Sequence, residues 1–419
     1  MAAPGPATSA ASSPPARWAT PFSPGSEVSA ADANVVHEVV GPPLSGREAG
    51  GAIGVGVNSL LVLGVIPVLL GSLVDEHRLT DPDIGLVVMA EVLTMGIATA
   101  LAGVFLKPAR LKLLGIVTTL LLAGVDLATA QSAGIGVFAM RAAAGVLEGV
   151  LLWITVAMIA RTATPERWAG VFFTGQTFAQ LLLAIALAVW VLPMWGAAGG
   201  FVALAVCAVA GLPASLIGPS RLADLNPGEA IAGSPPFRGW IALVGTLVYV
   251  AGGGAVAVYL QPLAHQVGLG AGVARTALWV SLAAQVVGSA AATGMAGRIR
   301  WFHVFLAVTV ATLVVWWLFG QHIPGWLFVA ANAVGGLAAL FLSPFLVPMT
   351  IEADPSRRAA VQSGAAQLLG GAMGPLLASR LVSDQDVHGA LWLGAGLMLA
   401  GLAVVAWLHV TNRHPAPMG

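Results

Sequence analysis

The chain has 419 residues, of which 58% are hydrophobic and only 9% are charged. Soluble domains carry roughly 25% charged residues, so this composition excludes a water-soluble fold and predicts an integral membrane protein. Eighteen basic and eighteen acidic residues give a formal net charge of zero, so the overall charge indicates no nucleic-acid partner. The single cysteine, Cys207, excludes an internal disulfide and a cysteine-based metal cluster.

Residues 1–48 are rich in Pro, Ala, Ser and Thr and contain no apolar run, which predicts a disordered cytoplasmic tail. The segment lacks the basic start and continuous apolar centre of a secretory signal. We therefore expect the first hydrophobic segment to remain as an uncleaved helix. A solvated leader is the simpler interpretation of this tail, and a regulatory or docking role is the alternative.

From Gly50 onward, apolar stretches of roughly 20 residues follow one another, the length that crosses about 30 Å of hydrocarbon. They predict an all-α polytopic membrane protein with twelve transmembrane helices, at 50–71, 84–106, 111–130, 136–160, 168–192, 197–218, 239–261, 272–294, 302–320, 325–350, 359–382 and 389–411. The longest interruption, 219–238, is predicted to be a cytoplasmic linker between two six-helix bundles at 49–218 and 239–411. Residues 412–419 are expected to form a cytoplasmic C-terminal tail.

The basic residues predict the orientation of this map, because cytoplasmic loops hold an excess of Lys and Arg. With the N-terminus inside, fourteen of the eighteen basic residues fall on the cytoplasmic side. Arg78, Arg275 and Arg380 fall outside, and Arg141 lies within helix 4. We therefore expect both termini to be cytoplasmic and the protein to lie in the cell (inner) membrane.

An internal repeat supports the division into two halves. At an offset of 190 residues, the segment 163–169 matches 353–359 at an Ala, a Pro, an Arg and a second Ala. Two pseudo-symmetric halves related by duplication are typical of secondary transporters.

Local motifs in helix 4 and in the loop after helix 2 favour a particular family. Arg141-x-x-x-Gly145-x-x-x-Gly149 places an arginine near the outer end of helix 4, ahead of two glycines. The loop between helices 2 and 3 contains the motif residues Gly103, Lys107, Arg110 and Lys112. On these residues the sequence resembles the major facilitator superfamily (MFS) of secondary transporters over residues 50–411.

Two departures from the family pattern bear on function. The loop after helix 2 lacks the Asp-Arg centre and the second glycine of the family's signature, which weakens the usual cytoplasmic gate interaction. Helix 5, in the segment 174–180, lacks the Gly-Pro element associated with the family's drug antiporters. The resemblance therefore favours drug efflux less than other transport.

The resemblance implies that helices 1, 4, 7 and 10 line a central pathway, with helices 2, 5, 8 and 11 beside it. Polar residues at these positions become candidate substrate contacts: Asn58, Gln176, Gln180, Tyr249, Tyr259, Gln285, Asn332, Gln362 and Gln367. The alternative for each is a hydrogen bond between helices, since an amide in hydrocarbon needs a partner.

Four ionisable residues lie within predicted spans of the N-terminal half: Glu91, Asp126, Arg141 and Glu148. A charge in hydrocarbon costs a few kcal/mol, so each is a functional candidate. Glu91 and Arg141 fall at similar depths, and a spacing of seven puts Arg141 and Glu148 on nearly the same helical face. We predict that Glu91 or Glu148, with Arg141, couples transport to protons. The alternative to proton coupling is a static buried ion pair that joins the helices. For Asp126 the simpler interpretation is that its carboxylate reaches water, because the residue lies close to the membrane interface.

The sequence thus predicts a monomeric, proton-coupled secondary transporter of a small organic solute, with an organic anion or a general metabolite favoured. Proton-driven efflux of lipophilic or cationic compounds, a uniporter and a non-transporting membrane sensor or assembly protein are the alternatives. No nucleotide-binding loop, metal-ligand spacing or nucleophile–base pair occurs in the sequence, so no enzyme activity, metal or cofactor is expected. The expected partners are the solute, protons and the lipid bilayer. Direction and coupling mode remain open.

Overall fold

A computed structural model describes residues 44–225, 234–383 and 386–412. The described residues are almost entirely helical, with one isolated β-bridge between Ala109 and Arg221. Most of the predicted N-terminal tail, the middle of the predicted linker and nearly all of the C-terminal tail lie outside the described residues. The all-α fold class is confirmed.

Eight helices cover the first half of the described chain. They are α1 (Gly46–Leu60), α2 (Ile66–Asp75), α3 (Asp81–Phe105), α4 (Leu111–Ala130), α5 (Ile135–Ile159), α6 (Pro165–Ala186), α7 (Leu192–Ala210) and α8 (Leu212–Ile217). A 3-10 turn, Val62–Gly64, lies between α1 and α2, and a π-turn, Leu187–Val191, lies between α6 and α7.

Eight helices cover the second half. They are α9 (Phe237–Ala257), α10 (Leu260–Gln266), α11 (Ala271–Met295), α12 (Trp301–Phe319), α13 (Gly325–Leu342), α14 (Leu346–Ala353), α15 (Arg358–Ala378) and α16 (His388–Asn412). A 3-10 turn at Ser343–Phe345 separates α13 from α14, where Pro344 removes a backbone donor from the helix.

Within the described residues, nine helical stretches are long and apolar enough to cross a membrane. The difference from the predicted twelve has three sources. The first predicted span is divided between α1 and α2, and α15 is not among the nine. The fifth and sixth predicted spans form one continuous stretch, Pro165–Ile217. A multi-pass membrane protein follows, and the twelve-span count stays a prediction.

Local interactions explain where some helices begin and bend. Helix α1 begins inside the predicted tail because Ser45 and Glu48 form a capping box, which satisfies free N–H groups of the first turn. The stretch from α6 to α8 bends at Gly196, whose φ of 61° is a left-handed conformation that glycine adopts at low cost. The Glu76 carboxylate accepts a hydrogen bond from the Ala197 N–H at this bend, at 2.6 Å.

Loops that hold several of the basic residues meet at one end of the molecule, which we call the basic end. The Leu111 N–H donates to the Ser220 carbonyl at 3.0 Å, and the Arg161 side chain donates to the Ala223 carbonyl at 2.7 Å. Alternate loops meet at the opposite end, where Arg78 donates to the carbonyls of residues 130 and 132. This alternation agrees with helices that run up and down across a bilayer.

The first and second halves of the chain pack against each other through α3 with α15 and α6 with α11. Small residues allow the approach: a Cβ at Gly103 would meet the Gln362 side chain, and a Cβ at Gly96 would meet Leu369. Such close helix contacts are typical of membrane proteins, in which packing through small residues replaces the hydrophobic drive. These contacts of α3 lie in its half nearer the basic end.

Candidate functional site

Four ionisable side chains are buried together inside the first half of the chain. Glu91 lies on α3, Asp126 on α4, and Arg141 and Glu148 on α5. None is more than 3% exposed, and Arg141 and Glu91 are fully buried. These are the four candidates that the sequence predicts, and we refer to them as the charged cluster.

Arg141 is the centre of the charged cluster. One terminal nitrogen, Nη1, donates to Asp126 Oδ1 at 2.6 Å. The other, Nη2, donates to Glu91 Oε1 and lies 3.3 Å from Glu148 Oε1. Asp126 is therefore buried against the guanidinium instead of reaching the interface, which was the simpler interpretation of the sequence.

Backbone packing brings Glu91 to Arg141. A Cβ at Gly145 would collide with the Glu91 carbonyl, and a Cβ at Gly149 would collide with the Met95 carbonyl. The two glycines of the helix-4 motif thus let α5 approach the backbone of α3 closely, as small residues do at helix interfaces in membranes. Their geometry is that of a packing surface.

The charged cluster has more acceptors than Arg141 satisfies. Within the described residues, Glu91 Oε2, Glu148 Oε2 and Arg141 Nε have no hydrogen-bond partner. The Phe201 ring of α7 lies 5.8 Å from the guanidinium carbon, close enough for a cation–π contact. One guanidinium thus faces three carboxylates in a buried site.

A cavity of about 920 Å³ lies at the end opposite the basic end. Its lining comes from residues between 84 and 92 of α3, residues 257–260 between α9 and α10, residues 274 and 278 of α11, and residues between 372 and 379 of α15. Both halves of the chain therefore contribute to it. None of these sixteen lining residues is Asp, Glu, Lys, Arg or His.

Two helix interruptions lie at this cavity. Helix α9 ends at Ala257, and α10 begins only at Leu260. Pro375 lies inside α15 and cannot donate a backbone hydrogen bond to the carbonyl of residue 371. In contrast, the run Gly252–Gly254 is a continuous part of α9.

Of the nine predicted substrate contacts, Tyr259 lines the cavity. Five of the others bond to another helix. Asn58 donates to the Ala208 carbonyl, Gln180 to the Leu60 carbonyl and Asn332 to the Ala277 carbonyl. Gln362 donates to the Ala100 carbonyl. The Tyr249 hydroxyl forms a hydrogen bond with the Thr309 hydroxyl.

The remaining three predicted contacts are amides that make no such bond within the described part of the chain. Gln176 is buried on α6, and its Oε1 has no partner among the described residues. Gln285 and Gln367 are half-buried. None of the three lines the cavity.

The predicted loop motif after helix 2 lies at the basic end. Gly103 is buried against Gln362, whereas Lys107 and Arg110 are exposed and Lys112 is half-buried. Arg110 adopts φ 55°, and the loop pairs with residues 220–222 through the β-bridge. The side chains of this motif therefore do not reach the charged cluster or the cavity.

Sequence reasoning missed the apolar lining of the cavity and the contact of Phe201 with Arg141. It sought polar residues, which mark sites within hydrocarbon. An apolar residue that lines a cavity and one that faces lipid look alike in a sequence. The sequence predicted a single unbroken span at 239–261, so the interruption between α9 and α10 was missed as well.

No protein-family model matches the sequence, and no curated protein matches it. Solved structures do match. The human organic anion transporter MFSD10 (TETRAN) superposes with a TM-score of 0.62 at 16% identity, over 87% of this chain and 100% of that one. FucP, an MFS transporter in the outward conformation, superposes with a TM-score of 0.63 at 14% identity, over 85% of this chain and 98% of that one. The chain therefore has the fold of the major facilitator superfamily transporters.

Proposed function

We propose that the chain is a secondary transporter that moves a small organic solute across a membrane by alternating access, coupled to protons. The shared fold supports transport in place of enzyme activity, because the similar structures are transporters. On the basic-residue count, we place both termini in the cytoplasm and the protein in the inner membrane. We take the monomer as the working unit.

The difference between the two ends of the molecule supports alternating access. At the basic end, Arg357 donates to the Ala160 carbonyl at 2.9 Å and Gln362 donates to the Ala100 carbonyl at 3.1 Å. Both bonds join the two halves of the chain. At the opposite end, α3 and α15 border the cavity. This geometry fits a state that is closed at the basic end, from which a rocking motion of the halves would expose the other side.

The charge balance of the charged cluster supports proton coupling, and it is the observation that carries this proposal. If all three carboxylates were ionised, two negative charges would remain uncompensated by Arg141. Two like charges about 4 Å apart repel by about 4 kcal/mol even at an effective dielectric constant of about 20. A proton on one carboxylate removes this repulsion, so the charged cluster is suited to binding and releasing protons.

Glu148 is the residue that we propose as the proton carrier. Its contact with Arg141 is the longest of the three, at 3.3 Å, and its Oε2 has no partner among the described residues. Glu91 and Asp126 hold the guanidinium more closely. Glu91 and Asp126 then act as fixed counter-charges while Glu148 changes protonation state.

The test is proton flux into liposomes that contain the purified protein and a pH-sensitive dye. The solutes are a panel of organic acids, amino acids, cationic drugs and neutral lipophilic compounds. Glu148→Gln should abolish solute-dependent proton movement and retain solute exchange, since its amide cannot release a proton. Asp224→Asn is the matched control, because Asp224 lies in an exposed loop at the basic end.

Each other outcome identifies an alternative function. Solute uptake without proton movement in the parent protein would indicate a uniporter and refute proton coupling. Loss of coupling in Glu91→Gln with normal coupling in Glu148→Gln would reverse the two roles. If the parent protein moves no solute of the panel, the result would favour the sensor or assembly protein over a transporter.

A further inference from the structure

We propose that the cavity between α3 and α15 is the substrate site, and that it takes a neutral, lipophilic molecule with a hydrogen-bond acceptor. This inference deepens the proposed transport function and rests on it for its physiological meaning. Binding itself can be tested without transport.

The lining carries the argument on polarity. Thirteen of the sixteen lining residues are aliphatic residues, methionine, alanine or proline, and one is glycine. The two side chains with a polar atom are Tyr259 and Ser379. Such a surface cannot replace the hydration of an ionised group, whereas it can bury apolar surface.

An organic anion finds no described cation at this site. Arg141, the candidate counter-charge from the sequence, is fully buried and is bound by three carboxylates of the charged cluster. Arg141 does not line the cavity. The cavity therefore favours a lipophilic compound over an organic anion as the substrate.

One lining group can orient such a molecule. The Ser379 hydroxyl already donates to the Leu376 carbonyl at 2.8 Å within its own helix. The Tyr259 side chain makes no hydrogen bond within the described part of the chain, and it lies at the interruption between α9 and α10. Its hydroxyl is therefore the donor that we assign to the acceptor group of the ligand.

The size of the cavity and its place in the fold agree with this occupant. A volume of about 920 Å³ lies within the roughly 300–1,000 Å³ range of small-molecule sites. Leu86, Val258, Leu278 and Leu376 line the cavity and are also exposed. Apolar side chains at this position face hydrocarbon in a bilayer, so a lipophilic molecule can enter from the membrane.

The experiment measures binding of Nile red, a neutral lipophilic dye with a carbonyl acceptor, to the protein in lipid nanodiscs. Protein-free nanodiscs of the same lipid give the partitioning background. We expect a saturable fluorescence increase above that background, displaced by neutral progesterone and unaffected by benzoate. No saturable increase in the parent protein, or displacement by benzoate as effective as that by progesterone, would overturn the proposal.

Three variants locate the bound dye. Met89→Trp fills the cavity from α3 and should weaken binding by about tenfold. Leu120→Trp is the matched control, because Leu120 is exposed on α4 and does not line the cavity. The affinity of this variant for Nile red should stay within about twofold of the parent protein's affinity. Tyr259→Phe removes only the hydroxyl and should weaken binding by about threefold to tenfold, the loss of one hydrogen bond. Equal weakening by Met89→Trp and Leu120→Trp would show that the dye binds elsewhere, against the proposal.

The two proposals fail in different ways. If Nile red binds in the cavity and no solute moves protons in liposomes, the proposed lipophilic site is supported and proton coupling is refuted. If organic acids move protons and Nile red does not bind saturably, proton coupling is supported and the lipophilic substrate class is refuted. Size-exclusion profiles of every variant show whether a loss of binding comes from misfolding, and Tyr259→Phe supplies the test if Met89→Trp does not fold.

Discussion

Replacing Arg141 with glutamine removes the cation from a buried site that holds three carboxylates. Glutamine keeps most of the side-chain volume and can still donate one hydrogen bond, so the main change is the lost charge. In the parent protein, Glu91, Asp126 and Glu148 all contact the guanidinium. The variant leaves these three groups in a region where each is at most 3% exposed.

The expected loss follows from the burial of the charged cluster. Removing one partner of a buried ion pair costs about 3–5 kcal/mol of unfolding free energy, since the remaining charge is uncompensated. The cation–π contact with Phe201 adds about 0.5–2 kcal/mol. We therefore expect Arg141→Gln to be among the most destabilising substitutions in the first half of the chain.

The same reasoning orders the other substitutions. Glu148→Gln replaces the carboxyl that we propose carries the proton, and it keeps an oxygen that can accept from Nη2, so the unfolding free energy should change by less than about 1 kcal/mol. Adding Glu91→Gln to Arg141→Gln removes one uncompensated carboxylate and should restore a substantial part of the loss. Asp224→Asn, in the exposed loop, should have no effect.

The assay is unfolding in mixed micelles with increasing sodium dodecyl sulfate, followed by helical circular dichroism, with refolding checked for each variant. The unfolding free energies should rank Arg141→Gln lowest, the double variant higher, and Glu148→Gln close to the parent. If Glu148→Gln destabilised the protein as much as Arg141→Gln, the surplus-charge argument would be refuted. A double variant no more stable than Arg141→Gln would refute it too.

Three further predictions rest on other contacts. Gly145→Ala should destabilise the protein by about 1–3 kcal/mol in the same assay, because the added Cβ collides with the Glu91 carbonyl. Gly124→Ala on α4 is the control and should be neutral or stabilising, because the space around its Cβ is open. Arg357→Gln should loosen the basic end, because it removes the bonds of Arg357 to the Ala160 and Thr162 carbonyls. A cysteine placed at Val361 in a Cys207→Ser background should then react with a soluble maleimide about threefold faster or more, an effect of about 0.7 kcal/mol. An unchanged rate would refute this role of Arg357. In the loop before α16, hydrogen bonds from the His388 backbone and the Gln266 side chain lower the pKa of Asp386 to about 2. Because this pKa lies below that of an unfolded aspartate, Asp386 stabilises the loop above about pH 4, and this contribution disappears as the pH falls towards 2. Hydrogen exchange at residues 387 and 388 should therefore be slower in the parent protein than in Asp386→Asn near neutral pH. The exchange rates of the two proteins should converge at low pH.

Most of the helices were predictable from the sequence, because hydrocarbon offers no partner for a free backbone N–H or C=O and so requires a helix of a set length. The predicted spans at 111–130 and 136–160 match α4 and α5 to within a residue. Boundaries that depend on side chains or backbone conformation were less predictable. Helix α1 begins at the Ser45 capping box, and Gly196 bends a stretch that composition divided into two spans.

The charged cluster was predictable in part. Rise per residue gave Glu91 and Arg141 similar depths, and the seven-residue spacing put Arg141 and Glu148 on one face; both contacts are present. The same arithmetic could not decide whether Asp126 turned towards water or towards Arg141. That choice depends on the rotation of α4 about its axis, which the packing of its neighbours sets.

The amino-acid sequence by itself determined that the chain enters a membrane, where most of its helices lie and which buried charges it carries. Those properties follow from transfer free energies and helix geometry, which act locally along the chain. Only the tertiary structure decided that Asn58 and Asn332 bond to neighbouring helices and that the cavity is lined by apolar residues. The partner of an amide and the occupant of a gap depend on how distant helices pack, and no local pattern encodes that packing.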